Sequence, residues 1–410
     1  MLLLAAPAAV EAQFTYTTNK GAITVSGYTG TGGGVVISNF VSSIAAFAFQ
    51  GHSNLTSIAI PGSVTNIGDY AFNDCTSLTA ITVNAGNPDY SSVGGVLFNQ
   101  NQTMLVAYPD GVGGSYTISN TVTSIGDTSF SDSSLTSVTI PGSVTSIGYA
   151  AFADCRLTSI SIPAGVTSIG EDAFAYCPSL TNITIPASVT SIGDFAFVGC
   201  RTLGAINVST SNTVFSSRSG VLFNQNQTVL VAYPGGIGGS YTIPNTVTSI
   251  GTDAFYQCTS LTSPTIPASV TSIGDYAFGE CFGLTSVYFK GRAPTADSTV
   301  FYYVTNNDPN ATVYYLPGTT GWSNTFAGVA AVLWNPVIEA SGAGFGIRNN
   351  QFGFNIAGTT NIPIVVAACS NLASPVWTVV QTLRLTNGSI YFSEPVQMNT
   401  LGRYYRISSQ

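Results

Sequence analysis

Apolar residues return along this chain in a frame of about 23 positions, clearest over residues 180–202, LTNITIPASVTSIGDFAFVGCRT. With Leu180 as place 1, apolar residues fall at places 1, 4, 6, 10, 13, 17, 18 and 21, Pro186 at place 7 and Gly193 at place 14. Frames of the same kind start at Leu55, Leu135, Leu157 and Leu261, and residues 37–54 fit from place 6 onward. Leu180, Ile183 and Ile185 predict a short strand with one inward face, which Pro186 ends because proline lacks the N–H a ladder needs. Val189 and Ile192 predict a second extended piece, Gly193 a tight bend, and Asp194 an N-cap for a short helical turn over 195–200. One such coil is too small to bury its own apolar face. Neighbouring coils must cover it, so the period predicts a solenoid.

Two longer units, 78–134 and 203–260, interrupt the series, and residues 95–130 match 220–255 at 29 of 36 positions. So close a match points to duplication of one larger block. Each unit holds an apolar run, an NQNQ turn and a second run ending at Tyr108-Pro109 or Tyr233-Pro234. Proline follows that second run as it follows the strand of an ordinary coil, so the run is expected as an extra strand of the same ladder. YTI at 116–118 and 241–243 resumes the frame. Near the end, Phe289, Val313, Tyr314, Trp322 and Trp334 lie outside the frame and are expected to form the terminal cap that repeat proteins require. The period thus places a solenoid with its lead-in and cap at 14–334 and a linker, NPVIEASGAGFG, at 335–346. Residues 347–410 lack the period and alternate short strands with turns, which predicts a small antiparallel β domain of sandwich type.

Composition narrows the chemistry. Only 7% of residues are charged, the net charge is −8, and Lys20 and Lys290 are the only lysines. No basic stripe exists to neutralise phosphates, so nucleic acid is not an expected partner. The opening MLLLAAPAAVEAQ (1–13) has the apolar core and small-x-Ala site of a secretion signal without its positive start, and reads as a truncated one. No later segment has the ~18 consecutive apolar residues of a membrane span. Cys75, Cys155, Cys177, Cys200, Cys258 and Cys281 all occupy place 21, and so does the single histidine, His52. Side chains in a ladder point in parallel, which opposes disulfide geometry, so the column is expected as buried thiols. Zinc would call for C-x-x-C pairs with His partners, which the chain lacks. Asp69, Glu171, Asp194 and Asp275 share place 15, where capping is a better reading than calcium, since a calcium loop converges several oxygens on one point. No cofactor or metal is expected.

The LTSITIPxSVTSIGxxAFxxC frames and the GVLFNQNQTxLVAYP units, over roughly residues 24–322, resemble the BspA-like leucine-rich repeat proteins, a bacterial surface and secreted group. The segment 350–407, with Cys-Ser-Asn-Leu, a Trp and a final Arg-Tyr-Tyr-Arg, more distantly resembles a C-terminal β module of large secreted bacterial proteins. The resemblance implies a mainly β, leucine-rich-repeat solenoid of ~23-residue coils, each a strand plus short helical turns, an extracellular place and, for some members, adhesion. It supplies no catalytic residues. The expected function is therefore non-enzymatic binding or adhesion at the cell surface or after secretion, by a monomer, toward an extracellular protein or polysaccharide. Contact is assigned to the outward strand face, represented by Thr136, Thr139, Thr158, Ser161, Thr181 and Thr184. Tyr90, Phe98 and Tyr116 in the inserted units are expected as local core rather than sugar platforms. A structural surface spacer is the alternative. An ice-binding hydroxyl array fits less well, because place 5 varies through Ala59, Asn207 and Tyr288. A secreted hydrolase fits poorly, because the one histidine sits at a core place.

Overall fold

The computed structural model describes residues 13–304, 311–360, 363–396 and 402–408, so the expected leader, apart from Gln13, lies outside the described residues. The fold is a β-solenoid of about 12 turns of ~23 residues, with antiparallel sheets near the C-terminus. Two compact units divide it: residues up to Ile237 together with Gly251–Cys258, and Gly238–Ile250 together with the chain from Thr259.

In the first unit a hairpin, Phe14–Asn19 against Ala22–Tyr28, closes the open end of a ladder by pairing Thr24 and Val25 in parallel with Ser43 and Ile44. The strands at places 1–6 stack coil on coil and keep their register, as in Ile160 on Ile183 on Ile206. A second ladder joins Ser124–Ile125, Ser146–Ile147, Ser168–Ile169 and Ser191–Ile192 in the same way. Because the register holds, like side chains meet like. Phe130, Phe152, Phe174 and Phe197 at place 18 form a stack with centroids 4.9, 5.5 and 6.0 Å apart and planes within 9° of parallel. The thiols at place 21 are buried and free, and those of Cys75, Cys155, Cys177 and Cys200 donate to the place-18 carbonyl of the preceding coil, Phe49, Phe130, Phe152 and Phe174, at 2.9–3.1 Å. Each thiol thus finds an acceptor within the core, and the Phe49 and Phe130 carbonyls also accept the amides of His52 and Ser133 at 3.3 and 3.1 Å.

Three local expectations change. Places 15–20 are a run of tight turns, not a helical turn. Tyr70, Asp172 and Phe195 at place 16, and Asp74, Asp154 and Tyr176 at place 20, have φ of 55–56°. A left-handed residue every fourth position stops a right-handed helix from propagating. The amides point across to the next coil instead: those of Ala150, Phe152 and Asp154 donate to the carbonyls of Glu171, Ala173 and Ala175 at 2.8–2.9 Å. Gly193, read as the residue that permits a bend, is not among the positive-φ glycines. Its role is steric: a Cβ there would lie 2.3 Å from the Glu171 backbone nitrogen. Finally, the second run of each insert joins the second ladder rather than the first, since Met104 and Leu105 pair with Ser124 and Ile125. The preceding strands, Tyr90–Val93 and Val96–Asn99, extend that ladder antiparallel. The second insert repeats the arrangement in Phe215–Arg218, Val221–Asn224 and Val229–Ala232. Its buried asparagine does too. Asn87 Nδ2 donates to the Pro61 and Val64 carbonyls at 2.8 Å, as Asn212 Nδ2 does to Pro186 and Val189 at 2.8 and 2.9 Å.

In the second unit Gly239–Thr242, Leu261–Ile266, Ser286–Phe289, Thr312–Tyr315 and Val329–Leu333 stack in parallel. Trp322 packs edge-on to Phe289 at 4.9 Å and flat on Tyr315 at 4.9 Å, covering the last coils. Beyond them lie two antiparallel sheets. One pairs Gln351–Ala357 with Val337–Glu339, Gly346–Arg348 and Ser389–Pro395; the other pairs Pro363–Cys369 with Thr378–Arg384 and Tyr404–Ser408. Residues 337–339, within the expected linker, are therefore a strand. Phe354, Ile356, Ile364, Val366 and Phe392 share one core cluster with Tyr288 and Tyr314 of the solenoid strands. Glu394 is held by the Arg403 guanidinium and by the Tyr405 hydroxyl at 2.6 Å.

Candidate functional site

The outward strand face is where the sequence places it. Thr136, Thr139, Thr158, Ser161, Thr181 and Thr184 are all exposed. Ser161 stands beside Thr184 in the ladder, and the amides of Thr158 and Thr181 donate to the carbonyls of Thr136 and Thr158, so the residues form rows along the coils. Part of the hydroxyl capacity is turned inward to the backbone: Thr136 Oγ1 donates to the Gly114 carbonyl at 3.0 Å and Thr181 Oγ1 to the Thr158 carbonyl at 3.4 Å. A second hydroxyl row at place 11 is bound alike, with Thr145 and Thr167 donating to Thr123 and Thr145 at 3.1 Å. Tyr90 hydrogen-bonds the Ile67 amide at 3.1 Å, Phe98 is buried, and Tyr116 packs on Tyr108 at 4.8 Å, so these rings belong to the local core. His52 lies edge-on to Tyr28 at 4.9 Å.

The opposite, turn side of the first unit carries a groove that the sequence reading did not single out. Its floor is Ala150, Ala153, Ala175 and Val198, all buried, and the rings of Tyr70, Phe195 and Tyr256 pack against that floor. The cavity is about 410 Å³ and is also lined by Asp132, Asp154, Glu171, Asp172 and Tyr176. Tyr70 stacks on Phe47 at 5.3 Å at one end, and Phe195 meets Tyr256 edge-on at 5.4 Å at the other. The inserts account for the hollow. They add strands to the second ladder but no layer on the turn side, where coils on either side of the first insert meet directly. The Tyr70 amide donates to Thr128 Oγ1 at 3.2 Å, and Asn73 Nδ2 donates to Asp132 Oδ2 at 2.5 Å. A wedge on one side brings the other side together. The left-handed backbone at places 16 and 20 sets Tyr70, Asp154, Asp172, Tyr176 and Phe195 around that floor, to which Ala150, also at place 16, belongs. The signal available in the sequence was their variety: where neighbouring places repeat Ala, Phe and Cys, place 16 runs through Tyr70, Ala150, Asp172, Phe195 and Tyr276.

Electrostatics in the groove are one-sided. No Lys or Arg lines it among the described residues. Burial, reinforced by the charges of Asp154 and Asp74, pushes the Asp132 carboxyl up to about 6; burial and Glu171 push Asp172 up to about 6. Burial also raises Asp154. Beneath the first insert Asp110 is buried, its Oδ2 accepting the Cys75 amide at 3.1 Å, and burial, then Asp132 and Asp74, push its carboxyl up to about 8. It borders a cleft of about 50 Å³, whereas the corresponding cleft under the second insert, where Gly235 replaces the aspartate, is about 210 Å³. Among the described residues no three His, Cys, Asp or Glu side chains gather to hold a metal ion, and no helix is long and apolar enough to cross a membrane.

The sequence pattern of the BspA type leucine rich repeat region matches six copies, over residues 33–109, 114–228 and 239–312. Solved structures that this chain matches include a leucine-rich repeat protein from Eubacterium ventriosum, at 24% identity over 75% of this chain and 77% of that one, with a TM-score of 0.42. A leucine rich cell surface protein from Faecalibacterium prausnitzii is 25% identical over 79% and 93%, with a TM-score of 0.42. The pneumococcal vaccine antigen PcpA is 15% identical over 79% and 97%, with a TM-score of 0.37. No curated protein matches.

Proposed function

Because this chain belongs to the BspA type leucine-rich repeat family, we propose that it is a non-enzymatic binding and adhesion protein acting at a bacterial surface or after secretion. The observation that carries this reading is the repetition of exposed polar residues on a rigid ladder. Thr136, Thr158 and Thr181, with Thr139, Ser161 and Thr184 beside them, offer the same small contact coil after coil. A face without large anchors favours many weak contacts over one tight one, and repetition converts weak contacts into avidity. An extracellular protein or a polysaccharide, each itself repetitive, is the partner this suits. The acidic, lysine-poor composition supports the same reading by disfavouring nucleic acid and anionic membrane.

The test is binding of the purified chain to immobilised extracellular matrix proteins and to a glycan array, beside the triple variant Thr136→Ala, Thr158→Ala, Thr181→Ala. Saturable binding that the variant weakens supports the strand face. A chain that binds nothing on either panel while remaining folded would favour the spacer reading instead.

A further inference from the structure

The groove on the turn side differs in kind from the hydroxyl face, and duplication of the block shows how. Its two ends are built from equivalent places of the two copies, yet the residues diverge in one direction. Where the first copy has Asn73, Ser131 and Asp132, the second has Val198, Tyr256 and Gln257. One end therefore carries Asn73 and Asp132 beside the ring of Tyr70, the other Val198 with the rings of Phe195 and Tyr256, with a floor of small side chains between them. Asp132 and Asp154 stand on adjacent coils near Asp74, and Glu171 stands beside Asp172, and among the described residues no guanidinium or ammonium group lines the cavity to balance them. Like charges so placed repel, and a cation arriving among them gains from every one. The ring of Tyr176, 40% exposed and one coil on from Asp154 at the same place of the frame, lines the same cavity, its hydroxyl accepting from Gln257 Nε2 at 3.3 Å.

Resting on the binding reading above, we propose that this groove receives an extended segment of a partner protein in which Arg or Lys is followed by an apolar side chain. The cation would lie between Tyr176 and the carboxylates of Asp132, Asp154 and Asp172, and the apolar side chain against Phe195 and Tyr256. A cation over an aromatic ring with carboxylates at its edge gains from both. Guanidinium fits best, because it stacks and forks at once. A cavity of about 410 Å³ has room for two or three side chains rather than a folded surface. A neutral glycan could stack on the same rings but would leave the carboxylates uncompensated. A single divalent ion does not suit carboxylates spread along several coils.

The experiment uses the full chain and a fluorescent twelve-residue probe with two Arg followed by two Leu in a Gly/Ser background, read by anisotropy. Comparison probes replace Arg by Gln or Leu by Ser. The charge variant is Asp154→Asn with Asp172→Asn, which keeps residues that tolerate left-handed backbone at both positions; the ring variant is Tyr176→Asn. The proposal expects saturable binding that weakens at least about tenfold in each variant and with each comparison probe, and that falls steeply between low and high salt. Circular dichroism melts check that the variants stay folded. Equal binding by wild type and the charge variant, or no binding of the Arg–Leu probe, overturns it. Glycan binding that the groove variants abolish in place of peptide binding also overturns it. The triple strand-face variant separates the two readings. If partners on the panels bind through that face while the probe does not bind, the groove inference alone fails. If neither the panels nor the probe bind, both fail.

Discussion

Asp110 carries the clearest consequence at the scale of one residue. Its carboxyl, raised from 3.8 to about 8 by burial and then by Asp132 and Asp74, holds a proton in the folded chain that the unfolded chain has released. The folded state therefore binds more protons between those values, and stability falls as pH rises from about 4 to about 8, then levels. Asp132 and Asp172, pushed up to about 6, act in the same direction over the lower part of that window. Thermal unfolding should show a higher midpoint at pH 5 than at pH 8. Asp110→Asn keeps an acceptor for the Cys75 amide without the charge, so it should flatten most of that slope and stabilise by about 1–3 kcal/mol at pH 8. A midpoint that climbs with pH would show that burial does not hold the Asp110 carboxyl protonated. Glycine gives a second test. Gly193→Ala drives a methyl into the Glu171 backbone and should cost about 1–3 kcal/mol, whereas Gly142→Ala, with nothing within 4 Å, should change stability by under ~0.5 kcal/mol. Equal losses in urea melts would show that place 14 needs glycine for reasons other than close approach. The sequence marked the glycine but not its cause, because a clash with the preceding coil is a long-range fact.

At the scale of the element, inward and outward places behave as the period says, since side chains alternate on a strand whatever the fold around it. Ile183 is fully buried between Ile160 and Ile206, while Thr181 is exposed. Ile183→Asp should abolish cooperative unfolding, by placing a carboxylate where nothing can pair with it. Thr181→Asp should cost under ~0.5 kcal/mol, the ordinary range for an exposed site, even with its hydroxyl contact to Thr158 lost. Comparable losses in denaturant melts would invert the assignment. The thiol column is testable by counting: chain denatured without reductant should react with seven equivalents of a thiol reagent, and a count near one would mean that the place-21 residues pair. The turns were the unreadable element. Ala-Phe runs favour a helix by propensity, and only the inter-coil amide ladder makes two left-handed residues per turn worthwhile.

Over the whole molecule, the exposed stretch 340–345 follows a strand that belongs to the C-terminal sheets, and those sheets share a core cluster with Tyr288 and Tyr314. Trp334 adds a hydrogen bond from Nε1 to the Pro363 carbonyl at 3.4 Å. Limited proteolysis should cut within 340–345, where the backbone is open to solvent. The two pieces should nevertheless elute together on a sizing column and separate only in denaturant, because an apolar cluster does not depend on chain continuity. Free release of a small C-terminal fragment under native conditions would show that residues 347–410 stand apart, as period and composition alone suggest.

By itself the sequence determines the solenoid, its coil length, the inward places, the phenylalanine and cysteine columns, and the exposure of Thr136, Thr158 and Thr181. All of these follow from a local frame repeated in register, and a local frame is written in consecutive residues. Tertiary structure alone decides the groove. It assembles only because two inserts thicken one ladder and let the turns on the other side close together, bringing the ring of Tyr70 and those of Phe195 and Tyr256 over one floor. No stretch of sequence contains that arrangement, since it depends on which side of the coil each insert stacks.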